Sequence, residues 1–153
     1  MTHESFNEQV RIVEQLQQKL RADHIEHFYI TEPSQWQSEQ LVLAGSFDFT
    51  YYHNVEITFT GVEFILCPGT IFSVDQIRLA TEEEIVQLHP VMYGYERNGI
   101  VFCLENEFEH QRFYIVAKQM TYHFGMVYYY DRANLQAGER IADFVKHRGR
   151  IQE

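Results

Sequence analysis

The sequence predicts an α+β fold: a single antiparallel sheet of about seven strands, arranged as a meander of hairpins, with an N-terminal helix, a short inserted helix and a C-terminal helix. Three observations carry this prediction. From Phe47 to Phe59 the odd positions read Phe47, Phe49, Tyr51, His53, Val55, Ile57 and Phe59, while the even positions are Asp48, Thr50, Tyr52, Asn54, Glu56 and Thr58. That period of two gives an extended ribbon one apolar and one wet face. Phe6, Val10, Val13, Leu16 and Leu20 recur at helical steps and make one stripe of a helix. Thr81 and Glu84 have capping-box spacing, which predicts a second helix start.

In chain order, the first helix starts near Ser5, where Glu8 supplies another capping-box partner. Ile25 to Thr31 is apolar and aromatic and reads as a strand ended by Pro33, followed by a polar loop, Ser34 to Gln40, that contains Trp36. Leu41 to Ala44 is a short strand before Gly45. The ribbon after it would span ~43 Å if straight, so it is expected to bend near His53 and Asn54, where the alternation is weakest. Past Gly61 the apolar parity flips to Val62, Phe64 and Leu66, which predicts a turn or bulge at Thr60 and Gly61 and a hairpin across it.

Pro68 and Gly69 close that strand, and Ile77 to Ala80 forms a short one. The Thr81 helix runs to His89 and stops at Pro90. Val91 to Tyr95 and Ile100 to Leu104, joined by Arg97, Asn98 and Gly99, read as a hairpin. Phe113 to Lys118 and Met126 to Tyr130 add strands, with Met120 to Phe124 as an extension. Leu135, Ile141, Phe144 and Val145 form a rough stripe for a closing helix, with cations Lys146 and Arg148 near its end and Gly149 as its stop.

A chain of 153 residues fits one domain that buries enough surface to need no disulfide or metal. Cys67 and Cys103 lie in apolar runs without CxxC spacing and read as buried thiols, as expected of a cytoplasmic protein. No apolar stretch is long enough for a membrane span, and the N-terminus lacks the basic and apolar segments of a signal peptide. The formal charge of −10 opposes binding to a phosphate backbone or an anionic membrane. The expected partner is therefore another protein, with no nucleic acid and no membrane, and with a homodimer as a further possibility.

Nucleophile and nucleotide motifs are missing: there is no GxSxG, GxGxxG or GxxxxGK[ST]. His24 and His27 have no third ligand at a fixed spacing. Glu105, Glu107 and Glu109 alternate before His110 and would share one strand face, the pattern of a divalent metal site, although it serves equally for a solvated loop. Tyr51, His53, Tyr128 and Tyr130 are the candidate lining of an aromatic ligand pocket, because a strand would put Tyr128 and Tyr130 on one face and Tyr129 on the other. No residue is assigned a catalytic role and no cofactor is expected.

Two functions follow. The first is a non-enzymatic acidic module that binds another protein, in its sharpest form an inhibitor, antitoxin or immunity protein acting on a basic enzyme. The second is a small-ligand binder or metal-dependent enzyme that uses the aromatic pocket on the sheet.

Overall fold

The alternating ribbon is retained in the structure only from Tyr52 onward, as a strand in which half-buried and buried residues alternate and Val55, Ile57 and Phe59 are fully buried. The structure, a computed structural model, describes residues 3–31, 39–92 and 99–145. In order these form α1 (His3–Ala22), β1 (His27–Ile30), β2 (Leu41–Ser46), β3 (Tyr52–Thr60), β4 (Phe64–Leu66), β5 (Phe72–Ser73) and β6 (Gln76–Leu79). Then follow α2 (Glu82–Leu88), β7 (Ile100–Asn106), β8 (Gln111–Ala117), β9 (Gln119–Tyr128) and β10 (Arg140–Ile141). The class is α+β, but the strands make two sheets rather than one: six strands in the order β10-β9-β3-β2-β1-β5, and four in the order β4-β8-β7-β6.

The cause of the division is a corner. β3 pairs with β9 as far as Thr60 and Gln119, and the same two chain segments then pair as β4 and β8 in the other sheet, from Phe64 and Val116 onward. At the corner Gly61 has φ +64°, and the Lys118 amide donates to the carbonyl oxygen of Thr60. A side chain at Gly61 would be strained by that φ and would press on Lys118. The parity flip after Gly61 therefore marks a strand crossing between sheets, and the expected hairpin is corrected: β4 pairs with β8, not with β3.

Between the sheets lies one apolar core, in which Phe59 meets Phe102 edge-on at 5.2 Å and Phe72 meets Phe113 at 5.3 Å. Val13, Leu16 and Leu20 of α1 enter the same core. Two glutamines fasten the helix to both sheets. Gln9 Oε1 accepts the Met120 amide of β9, and Gln17 Oε1 accepts the Ile77 amide of β6. Gln9 is thus buried while Phe6, expected on the stripe, is exposed. Gly45 is needed where the Phe28 ring crosses β2, since a Cβ there would lie 2.6 Å from that ring.

Further corrections follow from pairing. Phe47 is exposed and Phe49 half-buried, because residues 47–51 form a turn in which Asp48 accepts both the amide and the hydroxyl of Thr50. Glu56 and Thr58, expected to be exposed, are half-buried. Of the expected hairpin between Val91 to Tyr95 and Ile100 to Leu104, positions 93–98 lie outside the described residues; β7 itself is flanked by β6 and β8. The closing helix starts later than expected: Arg140 and Ile141 pair in parallel with β9, and helical structure begins only at 143. The Ser34 to Gln40 loop up to residue 38, Trp36, and the cations Lys146 and Arg148 lie outside the described residues.

Other expectations hold. Thr81 caps α2 with both halves of the capping box in place. A register shift in the β3–β9 pairing falls between His53 and Val55, close to the expected bend. Both cysteines are free thiols, Cys103 buried as expected, whereas Cys67, also expected buried, is half-buried.

Candidate functional site

Three places in the fold collect chemistry, and the first is the open end of the β3–β9 ribbon. Tyr51, Tyr128 and Tyr130 come together there, as the strand parity predicts, and line a cavity of about 500 Å³ with Tyr52, Met126 and Arg132. The rings pack on one another edge-on, Tyr128 against Tyr130 at 5.6 Å and Tyr51 against Tyr130 at 6.3 Å. The Arg132 guanidinium lies 4.3 Å from the Tyr128 ring centre and donates to Tyr130 Oη at 3.3 Å. Tyr128 in turn donates to Glu139 at 2.8 Å.

His53, expected in this lining, is not among the residues of the cavity. It is 4% exposed and joins a polar chain through Tyr129, the tyrosine of opposite parity. Its Nδ1 lies 2.6 Å from Tyr129 Oη, which lies 3.0 Å from Tyr29 Oη. His53 Nε2 sits 3.3 Å from Glu56 Oε2, off the hydrogen-bond axis, and Arg140 clamps the same carboxylate with two bonds of 2.8 and 2.7 Å. His53 first and Arg140 second hold the Glu56 carboxyl down at about 2. The Tyr129 phenol is raised, by burial and then by its bond to Tyr29, so it is poorly suited to act as a nucleophile.

The second place is the outer face of the four-stranded sheet beneath α2. Register places Arg78, Cys103 and Tyr114 in one cross-strand row and Gln76, Glu105 and Arg112 in the next. Glu84, whose side chain is 5% exposed, comes down on these rows from the third position of α2. It accepts from Arg78 at 2.6 Å, from the Thr81 amide at 2.9 Å and from the Tyr114 hydroxyl at 2.8 Å. Burial alone would raise its carboxyl, but the bonds from Arg78, Thr81 and Tyr114 outweigh burial and hold it at about 2. Glu105 accepts from Arg78 at 3.2 Å and from Arg112 at 2.7 Å. Burial pushes the Cys103 thiol up to about 12, which leaves it unreactive.

Third is the β7–β8 tip, where the other candidate residues fall. Glu105 is tied up at the base of the hairpin by those two guanidiniums, while Glu107 and Glu109 stand exposed in the turn. Among the described residues no group of three or more His, Cys, Asp or Glu side chains is placed to hold a metal ion. Phe108, between the two exposed carboxylates, is 90% exposed, the most exposed large apolar side chain among the described residues. The turn beneath it is nonetheless pinned. Asp75 Oδ2 accepts the Glu107 amide at 2.9 Å, buried Asn106 accepts the Glu109 amide at 3.2 Å, and His110 adopts φ 55° to rejoin β8. An open cavity of about 540 Å³, lined by Glu105, Asn106, Glu107, His110 and Arg112, lies beside it.

Sequence reasoning missed Arg132, Glu84 and Phe108. Phe108 carried a legible signal, an aromatic residue between two glutamates at the centre of a polar turn; the Glu84 contacts depend on strand pairing that periodicity does not specify. Comparison with family models, with characterised proteins and with solved structures finds no match.

Proposed function

We propose that this protein is an acidic protein-binding module that acts by contact rather than by catalysis, with the β7–β8 tip as its anchor. The observation that carries the reading is Phe108, 90% exposed on a turn whose backbone is already fixed by Asp75 and Asn106. Buried aromatic anchors dominate binding energy at interfaces, and a turn ordered in advance reduces the entropy lost on binding. Glu107 and Glu109 flank the anchor, and the net charge of −10 speeds encounter with a basic surface. In its sharpest form the partner is a basic enzyme and this chain its inhibitor, in the manner of an antitoxin or immunity protein.

Affinity capture from native lysate at low salt tests the reading. The wild-type protein is expected to recover a basic protein that elutes as salt is raised, and Phe108→Ala is expected to lose it at an unchanged melting temperature. Capture of no protein, or equal capture by Phe108→Ala, contradicts the reading.

A further inference from the structure

The aromatic end of the β3–β9 ribbon supports a second assignment, independent of the Phe108 tip, which precedes β8 while Tyr128 ends β9. We infer that the pocket of Tyr51, Tyr52, Met126, Tyr128 and Tyr130 is a recognition site for an arginine side chain presented by another polypeptide, and that Arg132 is its internal occupant.

Arg132 already demonstrates the chemistry. Its guanidinium stacks on Tyr128 at 4.3 Å, donates to Tyr130 at 3.3 Å, and forms part of the wall of a cavity of about 500 Å³. Aromatic faces attract guanidinium through the ring quadrupole, and the planar cation stacks where an ammonium cannot. The surrounding charge matches such a ligand. Glu139 is bonded to Tyr128, it is held below the ordinary carboxylate range by the Gln136 amide and that phenol, and the chain as a whole carries −10. Yet Arg132 is exposed and lies in a segment without helix or strand, so no buried packing fixes it over the ring. Tyr51, another residue of the lining, is 61% exposed and open to an incoming side chain. An external guanidinium can therefore take the place of the internal one without disturbing the sheet.

Calorimetric titration with an acetylated and amidated Gly-Arg-Gly peptide tests the assignment, using the wild type, Arg132→Ala, and Arg132→Ala combined with Tyr51→Ala and Tyr130→Leu. The expected result is binding to Arg132→Ala about tenfold tighter than to wild type, roughly the effect of removing a competing cation–π contact. The matching Gly-Lys-Gly peptide is expected to bind more weakly, and the triple variant, at unchanged circular dichroism, to bind neither. Equal affinity of wild type and Arg132→Ala, retained binding in the triple variant, or binding of agmatine without binding of the arginine peptide would overturn it. None of these outcomes depends on Phe108, so failure here leaves the tip reading standing, and failure of the tip reading leaves this one.

Discussion

The two ends of the chain segment that runs through β8 and β9 display exposed aromatics in opposite ways. At the β3–β9 end, Tyr51, Tyr128 and Tyr130 pack edge-on against one another and Tyr128 and Tyr130 meet Arg132, so these rings have partners within the chain even where Tyr51 and Tyr130 remain exposed. At the β7–β8 end, Phe108 stands 90% exposed while its backbone is held by Asp75 and Asn106. Scattered exposed apolar residues are ordinary on protein surfaces. A fixed backbone beneath a bare aromatic ring is different, because the chain has ordered the turn without using the ring. That contrast is the physical ground for placing a partner at the tip.

Support for the tip runs through the ionic network under α2, and removing its centre should have the largest effect. Glu84→Ala takes from Arg78 its shortest ion pair, leaving it only that to Glu105, and takes from the Tyr114 hydroxyl its acceptor, and should destabilise the fold by about 3 to 5 kcal/mol, the cost of breaking a buried pair. Chemical denaturation checks this. A shift of less than about 1 kcal/mol would mean the network is dispensable and the base of the hairpin is held by apolar packing alone. In the ribbon that leads to the aromatic end, Ile57→Ala empties a fully buried site in the intersheet core and should cost about 2 to 5 kcal/mol. An unchanged denaturation midpoint would contradict the register of β3.

Acid should weaken both regions over the same window. Glu56 and Glu84 each titrate at about 2 in the folded protein, below the ordinary glutamate value of 4.5. A carboxyl depressed by folding stabilises the folded state above its unfolded pKa, and that contribution is lost as pH falls through the folded value. Stability should therefore decline from about pH 4.5 toward pH 2, and Glu56→Gln and Glu84→Gln should each flatten the decline. A melting temperature that stays level across that interval in the wild type would show that neither carboxylate is held as the geometry indicates. The smallest effect on stability belongs to Phe108→Ala, expected within about 0.5 kcal/mol of wild type because its side chain touches so little.

What was legible in the sequence follows from the range over which each signal acts. Thr81 and Glu84 are three residues apart, and the capping box they form was readable as such. Val55, Ile57 and Phe59 were readable by parity, since pleating alone sends them to one face. Phe47 failed because Asp48 and Thr50 close a local turn, and side-chain bonds to the backbone override an alternating pattern. The second sheet failed for a longer-range reason: whether the chain after Gly61 folds back on β3 or continues as β4 beside β8 depends on Val116, more than fifty residues away. At the candidate sites, Tyr128 and Tyr130 were placed by parity, whereas His53 was drawn to Tyr129 by the pairing of β3 with β9 and to Glu56, three residues along its own strand, across the register shift between His53 and Val55.

The central claim, that the bare ring at the tip is a binding anchor, is tested most directly by photo-crosslinking. Benzoylphenylalanine replaces Phe108 in one protein and Val86, an exposed residue of α2, in another. The account predicts that irradiation in native lysate at low salt gives a discrete covalent adduct with a basic protein from position 108 and none from position 86. No adduct at position 108, or the same adducts from both positions, would contradict it.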